Sequence, residues 1–150
     1  MIFDIHNLMR RYDIAPEDEP KVLDYLKALK WIIGADGEIA TAEWEALVKW
    51  MQRMHVSEAL MKAVSDFDFR QARLEDIVPE LKPGGFQARR LIRDAMEIAR
   101  ADGYYAREEH AAVQKAASLL GVDQDMLRAV ESLVEMEAAV SKMRQALLGE

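Results

Sequence analysis

The chain has 150 residues, of which 51% are hydrophobic and 31% are charged, and this composition is that of an ordinary soluble globular domain with a real core. The absence of cysteine excludes disulfides, thiolate metal sites and cysteine nucleophiles. The net charge of −7 argues against nucleic acid as the main partner, because binding to phosphates requires a basic surface.

Helical spacing of apolar residues begins just after the acidic stretch that precedes Pro20. A helix is predicted from there to Gly34 and Gly37, because proline suits a first helical turn and glycine suits a helix end. Its apolar positions recur at helical spacing, at Val22, Leu26, Leu29 and Ile33. Its charged positions fall on other faces, at Lys21, Asp24, Lys27 and Lys30.

Three further helices are predicted before residue 82, over residues 41–54, 57–68 and 74–81. The apolar side chains that the first of these is expected to bury are Leu47, Val48 and Met51. The segment Lys82-Pro83-Gly84-Gly85 is the strongest helix breaker in the sequence. We interpret it as a joint between two halves rather than as a flexible linker.

The second half of the chain repeats this plan. Helices are predicted over residues 86–101 and 107–120, the second of them ended by Gly121, and Asp123 can cap a third. The expected inner residues are Leu91, Ile92, Ala95 and Ala99 in the first helix, and Leu127, Val130 and Val134 in the third. No segment alternates in the manner of a strand, so the sequence predicts an all-α fold.

A short acidic motif occurs twice. Ala35-Asp36-Gly37 recurs as Ala101-Asp102-Gly103, and a glutamate, Glu43 or Glu109, follows each aspartate at the same spacing. The two copies are 66 residues apart. A self-match at a fixed period indicates that one structural unit has been used twice.

The repeat predicts the organisation of the chain. We expect a single domain over residues 1–150, a helical bundle built from two related helix–corner–helix halves. The halves cover approximately residues 20–68 and 86–134, and a C-terminal helical extension covers residues 135–148. Stacked helices joined by short loops bury their apolar stripes against each other.

The Asp-Gly corners are the candidate functional site. Asp-Gly followed by this glutamate matches the second half of an EF-hand loop, but residues without carboxylates occupy the first half, and Ca²⁺ needs about six to eight oxygens. Each aspartate follows a helix C-terminus, where the helix dipole disfavours negative charge, so a cation can offset it. The candidate ligands for a weakly bound divalent cation of the Ca²⁺ or Mg²⁺ type are Asp36, Glu43, Asp102 and Glu109.

A purely structural interpretation of the corners stays open. The glycine of each motif can supply the left-handed residue that ends a helix. The aspartate can then cap the next helix with its side-chain oxygen, and the glutamate suits a helix N-terminus. In this interpretation the acidic residues bind no metal.

The residues of both corners resemble the TerB-like family of tellurite resistance proteins, whose helical domain also underlies the N-terminal part of DjlA-type co-chaperones. The resemblance is carried by residues 34–37 with Glu43, by residues 98–103 with Glu109, and by residues 116–123. It implies an all-α domain of two related halves, with a cation site at the four acidic residues. Family members often have Ser or Asp where this chain has Ala40 and Ala106, which removes one oxygen from each corner.

The resemblance implies a cytoplasmic, non-enzymatic domain that binds or senses a divalent cation in a stress response such as tellurite resistance. The alternative is a protein–protein interaction or scaffold module whose acidic corners are structural. In both cases we expect a protein partner, no nucleic acid, no signal peptide and no membrane segment, because no apolar run approaches the ~20 residues that a membrane helix needs. No catalytic motif of a metalloprotease, serine hydrolase or nucleotide-binding loop occurs.

Overall fold

The computed structural model describes residues 19–34, 37–78, 82–100 and 107–150, the last of these with side chains from residue 110 onward. Within these ranges the chain forms seven α-helices and one short 3-10 helix, with no strand. The α-helices are α1 (Glu19–Ile33), α2 (Thr41–Arg53), α3 (Glu58–Asp66), α4 (Leu74–Ile77), α5 (Phe86–Ala99), α6 (Arg107–Leu119) and α7 (Gln124–Leu148), and the 3-10 helix covers Phe69–Gln71. The predicted all-α fold is confirmed.

The helix boundaries lie close to the predicted ones, but α3 is shorter than predicted. This helix was expected to reach residue 68 but ends at Asp66, because Phe67 has extended backbone angles (φ −66°, ψ 123°). Asp68 begins the 3-10 helix instead, since its carboxylate accepts a hydrogen bond from the backbone N–H of Arg70 at 3.1 Å. Helices α4 and α5 also end earlier than predicted.

Helices α1 and α5 form the centre of the bundle. α1 packs against α3, α4, α5, α6 and the 3-10 helix, and α5 packs against α1, α2, α6 and α7. Fully buried side chains on their inner faces include Val22, Leu26, Leu29, Leu91 and Ile92. The predicted inner residues of α5 and α7 are buried as expected, namely Ala95, Ala99, Leu127, Val130 and Val134.

The buried face of α2 differs in one residue from the prediction. Leu47 and Met51 are buried as expected, but Val48 is half-buried at the edge of the core. Trp50 is buried instead, and its ring lies 6.2 Å from that of Tyr25 in a stacked arrangement. Because successive helical residues are about 100° apart, positions 47, 50 and 51 share one face and position 48 lies beside it.

Lys30, which sequence analysis placed on a different face of α1 from the apolar residues, is nevertheless buried. Only 6% of this residue is exposed, and its ammonium donates hydrogen bonds to the carbonyl oxygens of Val64 (2.8 Å), Ser65 (3.0 Å) and Phe67 (2.6 Å). These acceptors lie at the C-terminal end of α3, where a helix leaves carbonyl groups unsatisfied and carries partial negative charge. Spacing within α1 does not reveal that another helix ends beside it.

The predicted joint packs closely on the end of α6. The backbone N–H of Gly84 donates to the carbonyl oxygen of Leu120 at 2.8 Å. At Gly121, which is left-handed (φ +71°), an added Cβ would come within 2.7 Å of Pro83 Cβ. The segment is therefore anchored by backbone contacts to the end of α6, and its role as a joint between two equivalent halves stays a prediction.

The helices of the two halves correspond at the 66-residue offset. α2 and α6 begin and end at equivalent positions, and α1 and α5 end at equivalent positions. The turns after α2 and α6 each contain a left-handed residue, His55 (φ 58°) and Gly121 (φ 71°). Ser57 and Asp123 then cap α3 and α7 through their side-chain oxygens. Superposition of the two halves in space stays a prediction.

Helix α7 is much longer than the others and continues past the bundle. Its N-terminal part is buried against α5, whereas all residues from Ser141 to Glu150 are exposed. The predicted C-terminal extension is therefore the continuation of α7 to Leu148. Across the described ranges, no helix has both the length and the apolar character needed to cross a membrane.

Candidate cation site at the Asp-Gly corners

The first corner has the left-handed glycine that the sequence predicted. α1 ends with a hydrogen bond from the N–H of Gly34 to the carbonyl oxygen of Lys30 (3.0 Å), and the N–H of Gly37 then donates to the carbonyl oxygen of Gly34 (2.9 Å). Gly37 has φ +101°, and no atom lies within 4 Å of the position that a Cβ would take. The requirement for glycine here is therefore conformational. Asp36 lies outside the described residues.

Glu43 lies in the first turn of α2, and only 8% of it is exposed. Its Oε1 accepts a hydrogen bond from the backbone N–H of Ala40 at 3.4 Å, and Ala40 is the N-cap residue of α2. This is the glutamate half of a capping box, since alanine has no oxygen to return the bond. The N-cap residue of α2 is therefore Ala40, whereas the side chain of Asp36, to which the structural interpretation assigned the capping role, lies outside the described residues.

A guanidinium group reaches the same corner from the 3-10 helix. Arg70 Nε donates to the carbonyl oxygen of Gly37 at 3.1 Å, while the guanidinium carbon lies 5.0 Å from the centre of the Phe69 ring. The carbonyl oxygen of Gly37 at this corner therefore accepts a hydrogen bond from a positively charged group. Sequence analysis did not single out Arg70, because it is far from the motif in sequence and its position depends on the early end of α3.

Aromatic rings and Lys30 also pack near the end of α1. A Cβ added to Gly34 would lie 2.6 Å from the ring of Phe69, so the glycine permits that ring to pack on the end of α1. The Lys30 ammonium lies 5.4 Å from the centre of the Trp44 ring. Burial lowers the pKa of Lys30, and the nearby carboxylates of Asp68 and Asp66 partly oppose that shift.

The second corner falls mainly outside the described residues, which do not include Asp102 or Gly103. α5 ends as α1 does, with the N–H of Arg100 bonded to the carbonyl oxygen of Met96 (3.1 Å). The backbone of Glu109 lies in the first turn of α6, as predicted, but its side chain is not described.

Of the four predicted ligands, Glu43 alone has a described side chain, so the structure neither brings the set together nor separates it. In the ranges for which side chains are described, no three His, Asp or Glu residues have a metal-binding arrangement. His110, which sequence analysis did not choose as a ligand, lies 3.4 Å from a carboxylate oxygen of Glu131.

Comparison with known proteins relates the chain to one family. The family model described as tellurite resistance protein TerB matches residues 26–132. The crystal structure of a tellurite resistance protein from Nostoc punctiforme PCC 73102 has a TM-score of 0.77 to this structure at 21% sequence identity, with 99% of this chain and 98% of that chain covered. At this identity the likeness shows a shared fold. No curated protein matches the chain. The family model covers most of the chain, which therefore belongs to the TerB family of tellurite resistance proteins.

Proposed function

We propose that this protein is a cytoplasmic, non-enzymatic TerB domain that binds a divalent cation of the Ca²⁺ or Mg²⁺ type at its Asp-Gly corners during a stress response. The ligands would be Asp36 and Glu43 at the first corner, and Asp102 and Glu109 at the second. The observation that carries the proposal is the burial of Glu43 in the first turn of α2, six residues after the left-handed Gly37.

The electrostatics of the first corner support this function. A buried carboxylate is costly unless hydrogen bonds or positive charge compensate it, and the N-terminus of α2 compensates Glu43 in part. Asp36 follows the C-terminus of α1 by three residues, where negative charge is disfavoured. Because the N-cap residue of α2 is Ala40, the proposal assigns Asp36 to a cation that it shares with Glu43.

The oxygen count predicts weak binding. Two carboxylates and nearby backbone carbonyls supply fewer than the about six to eight oxygens that Ca²⁺ prefers, so water must complete the shell. Arg70 also donates a hydrogen bond to the carbonyl oxygen of Gly37 and places positive charge at the corner. A cation that uses this oxygen competes with the guanidinium.

Terbium luminescence tests the proposal, because Trp44 adjoins Glu43 and can sensitise a bound lanthanide. Terbium should bind the wild-type protein and be displaced by Ca²⁺. The Asp36→Asn, Asp102→Asn double variant should lose the signal, whereas Glu45→Gln, which removes an exposed charge from the same helix, should retain it. Emission at the free-ion level, or equal emission from the double variant, would show that the corners bind no cation.

Arg70 provides a second measurement of the same proposal. Arg70→Gln removes the competing charge, so terbium affinity at the first corner should rise by about three- to tenfold. Arg73→Gln is a matched control, because Arg73 pairs with Glu75 on the surface at 2.8 Å. A lower affinity in Arg70→Gln would place the cation elsewhere.

A protein-interaction module is the second candidate function. It is favoured by the exposed apolar side chains on α7, which include Met136, Val140, Met143 and Leu147. In that function the acidic corners are structural, and neutralising them leaves association unchanged.

A further inference from the structure

Helix α7 has two apolar faces, and only one of them belongs to the core. Leu127, Val130 and Val134 are buried against the bundle. A second set of apolar side chains is between 48% and 75% exposed, namely Leu133, Met136, Val140, Met143 and Leu147. We call this set the α7 stripe. Single exposed apolar residues are ordinary, but a continuous line of five on one helix marks an interaction surface.

The spacing of the α7 stripe is that of a coiled coil. Its members are separated by three, four, three and four residues, which is the alternation of a and d positions in a heptad repeat. At about 100° per residue the stripe lies about 140° around the helix from the buried face. A second helix can therefore approach the stripe without meeting the bundle that carries it.

The charges beside the stripe indicate which partner helix fits. With Val140 at an a position, Glu137 and Arg144 occupy consecutive e positions, and Ala139 and Ala146 occupy consecutive g positions. In an antiparallel pair e positions face e positions and g positions face g positions. Two copies of α7 would then place Glu137 opposite Arg144 of the second copy, twice by symmetry, with small alanines facing each other on the opposite side.

The same register aligns the apolar layers. It sets Met136 against Leu147 of the second copy and Val140 against Met143 of the second copy. A parallel pair lacks this match, since e positions would then face Ser132 or Ala139 and neither charge would be compensated. We therefore propose that the protein self-associates as an antiparallel dimer through the α7 stripes of two copies.

The existing contacts of the charged residues permit this pairing. Glu137 lies 3.3 Å from Arg93 and Arg144 lies 3.9 Å from Glu150, both at the surface. Exposed pairs of this kind contribute little, and a carboxylate accepts more than one donor. The stripe would bury on the order of 500 Å² per copy, below the roughly 800 Å² of a standard interface, so the dimer should dissociate on dilution.

Sedimentation velocity of the full chain over a wide concentration range tests the proposal. We expect reversible conversion of monomer to dimer as concentration rises. Val140→Glu should abolish the dimer, while Gln145→Glu, which adds the same charge on the outer side of the helix, should leave it unchanged. A wild-type protein that is monomeric at millimolar concentration, or a dimer that persists in Val140→Glu, would overturn the proposal.

Charge exchange tests the antiparallel register. Arg144→Glu should weaken the dimer by about tenfold or more, because two ion pairs become repulsive. Adding Glu137→Lys should restore it, since each pair is then reversed. Circular dichroism should show that both variants remain folded. A double variant no stronger than Arg144→Glu alone would exclude this register. The inference does not depend on the cation proposal, because none of its residues lies at the corners.

Discussion

At the scale of single residues, Gly34 and Gly37 are required for different physical reasons although they are close in sequence. Gly34 provides space, because the Phe69 ring occupies the position of its missing side chain. Gly37 provides a backbone conformation, with φ +101° and open space around it. The sequence identified both as helix-ending residues, but the steric role of Gly34 depends on a ring that is distant in the chain.

Alanine substitutions should separate these two roles. Gly37→Ala should lower the free energy of unfolding by about 1 kcal/mol through backbone strain alone. Gly34→Ala should cost about 1–3 kcal/mol, because the buried ring must move. In a Phe69→Leu background the cost of Gly34→Ala should shrink, whereas that of Gly37→Ala should not. Denaturant unfolding measures the cost of each alanine substitution in the wild-type and Phe69→Leu backgrounds. A cost of Gly34→Ala that is equal in both backgrounds would contradict the steric role.

Lys30 is the clearest case of a charged residue with a structural role. Its ammonium supplies donors to three carbonyl oxygens at the end of α3. Lys30→Met should keep most of the apolar packing but leave these acceptors without that donor, so unfolding free energy should fall by about 2–4 kcal/mol. Lys49→Met on the exposed face of α2 is the matched control and should change stability little. Equal stabilities of the two variants would contradict this role.

At the scale of helices, one buried polar contact connects the two central elements. The Tyr25 hydroxyl of α1 donates to the Asp94 carboxylate of α5 at 2.5 Å, and both residues are buried. Burial raises the pKa of Tyr25 well above its ordinary value, and the charge and hydrogen bond of Asp94 raise it further, while Arg90 and Arg93 oppose the shift. The contact links α1 of the first half to α5 of the second.

This pKa shift predicts alkaline instability. Above pH about 10 the unfolded chain releases the Tyr25 proton while the folded chain retains it. The contribution of Tyr25 to the free energy of unfolding is therefore fully present below that pH and is lost as the pH rises further. In a spectroscopic titration, Tyr25 should ionise together with unfolding, above the ordinary tyrosine range. Tyr25→Phe should remove that late step. Ionisation of all four tyrosines before unfolding would contradict the buried contact.

At the scale of the whole molecule, local patterns predicted most of the fold. Apolar spacing identified the inner residues of α5 and α7, and capping chemistry identified Asp123, whose carboxylate accepts from the N–H of Met126 at 2.8 Å. Contacts between distant segments could not be predicted in this way. The burial of Lys30 and the approach of Arg70 to Gly37 depend on where α3 ends and how the 3-10 helix packs.

In the candidate site, too, the features set by local sequence could be predicted and the others could not. The left-handed Gly37 and the helix-starting Glu43 follow from local sequence, because helix ends and first turns have recognisable residue preferences. The N-cap does not follow from it, since Ala40 is a poor capping residue and sequence analysis gave the capping role to Asp36. Convergence of Asp36 with Glu43 stays a prediction, as does the equivalent pair at the second corner.

The repeat leads to a prediction for the molecule as a whole. Because α2 and α6 have equivalent boundaries and α1 and α5 have equivalent ends, superposing α1–α2 on α5–α6 should place Asp102 on Asp36 and Glu109 on Glu43. Gly103 should then be left-handed, and Gly103→Ala should cost about 1 kcal/mol, as at Gly37. A structure of crystals grown with Ca²⁺ or Mg²⁺ tests the superposition and the conformation of Gly103. Denaturant unfolding of Gly37→Ala and Gly103→Ala measures the two stability costs.

The repeat also leads to a prediction that compares the two corners, because the residue equivalent to Arg70 in the second half is not basic. The first corner has Arg70 on its carbonyl oxygen, whereas the offset of 66 residues places Met136, an exposed residue of α7, at the position equivalent to Arg70. If the halves superpose, the second corner lacks the equivalent guanidinium and should bind the cation more tightly than the first. Asp102→Asn should then reduce terbium binding more than Asp36→Asn does. The opposite order, or an Asp-Gly pair that lies within a helix, would show that the repeat in sequence does not extend to the site.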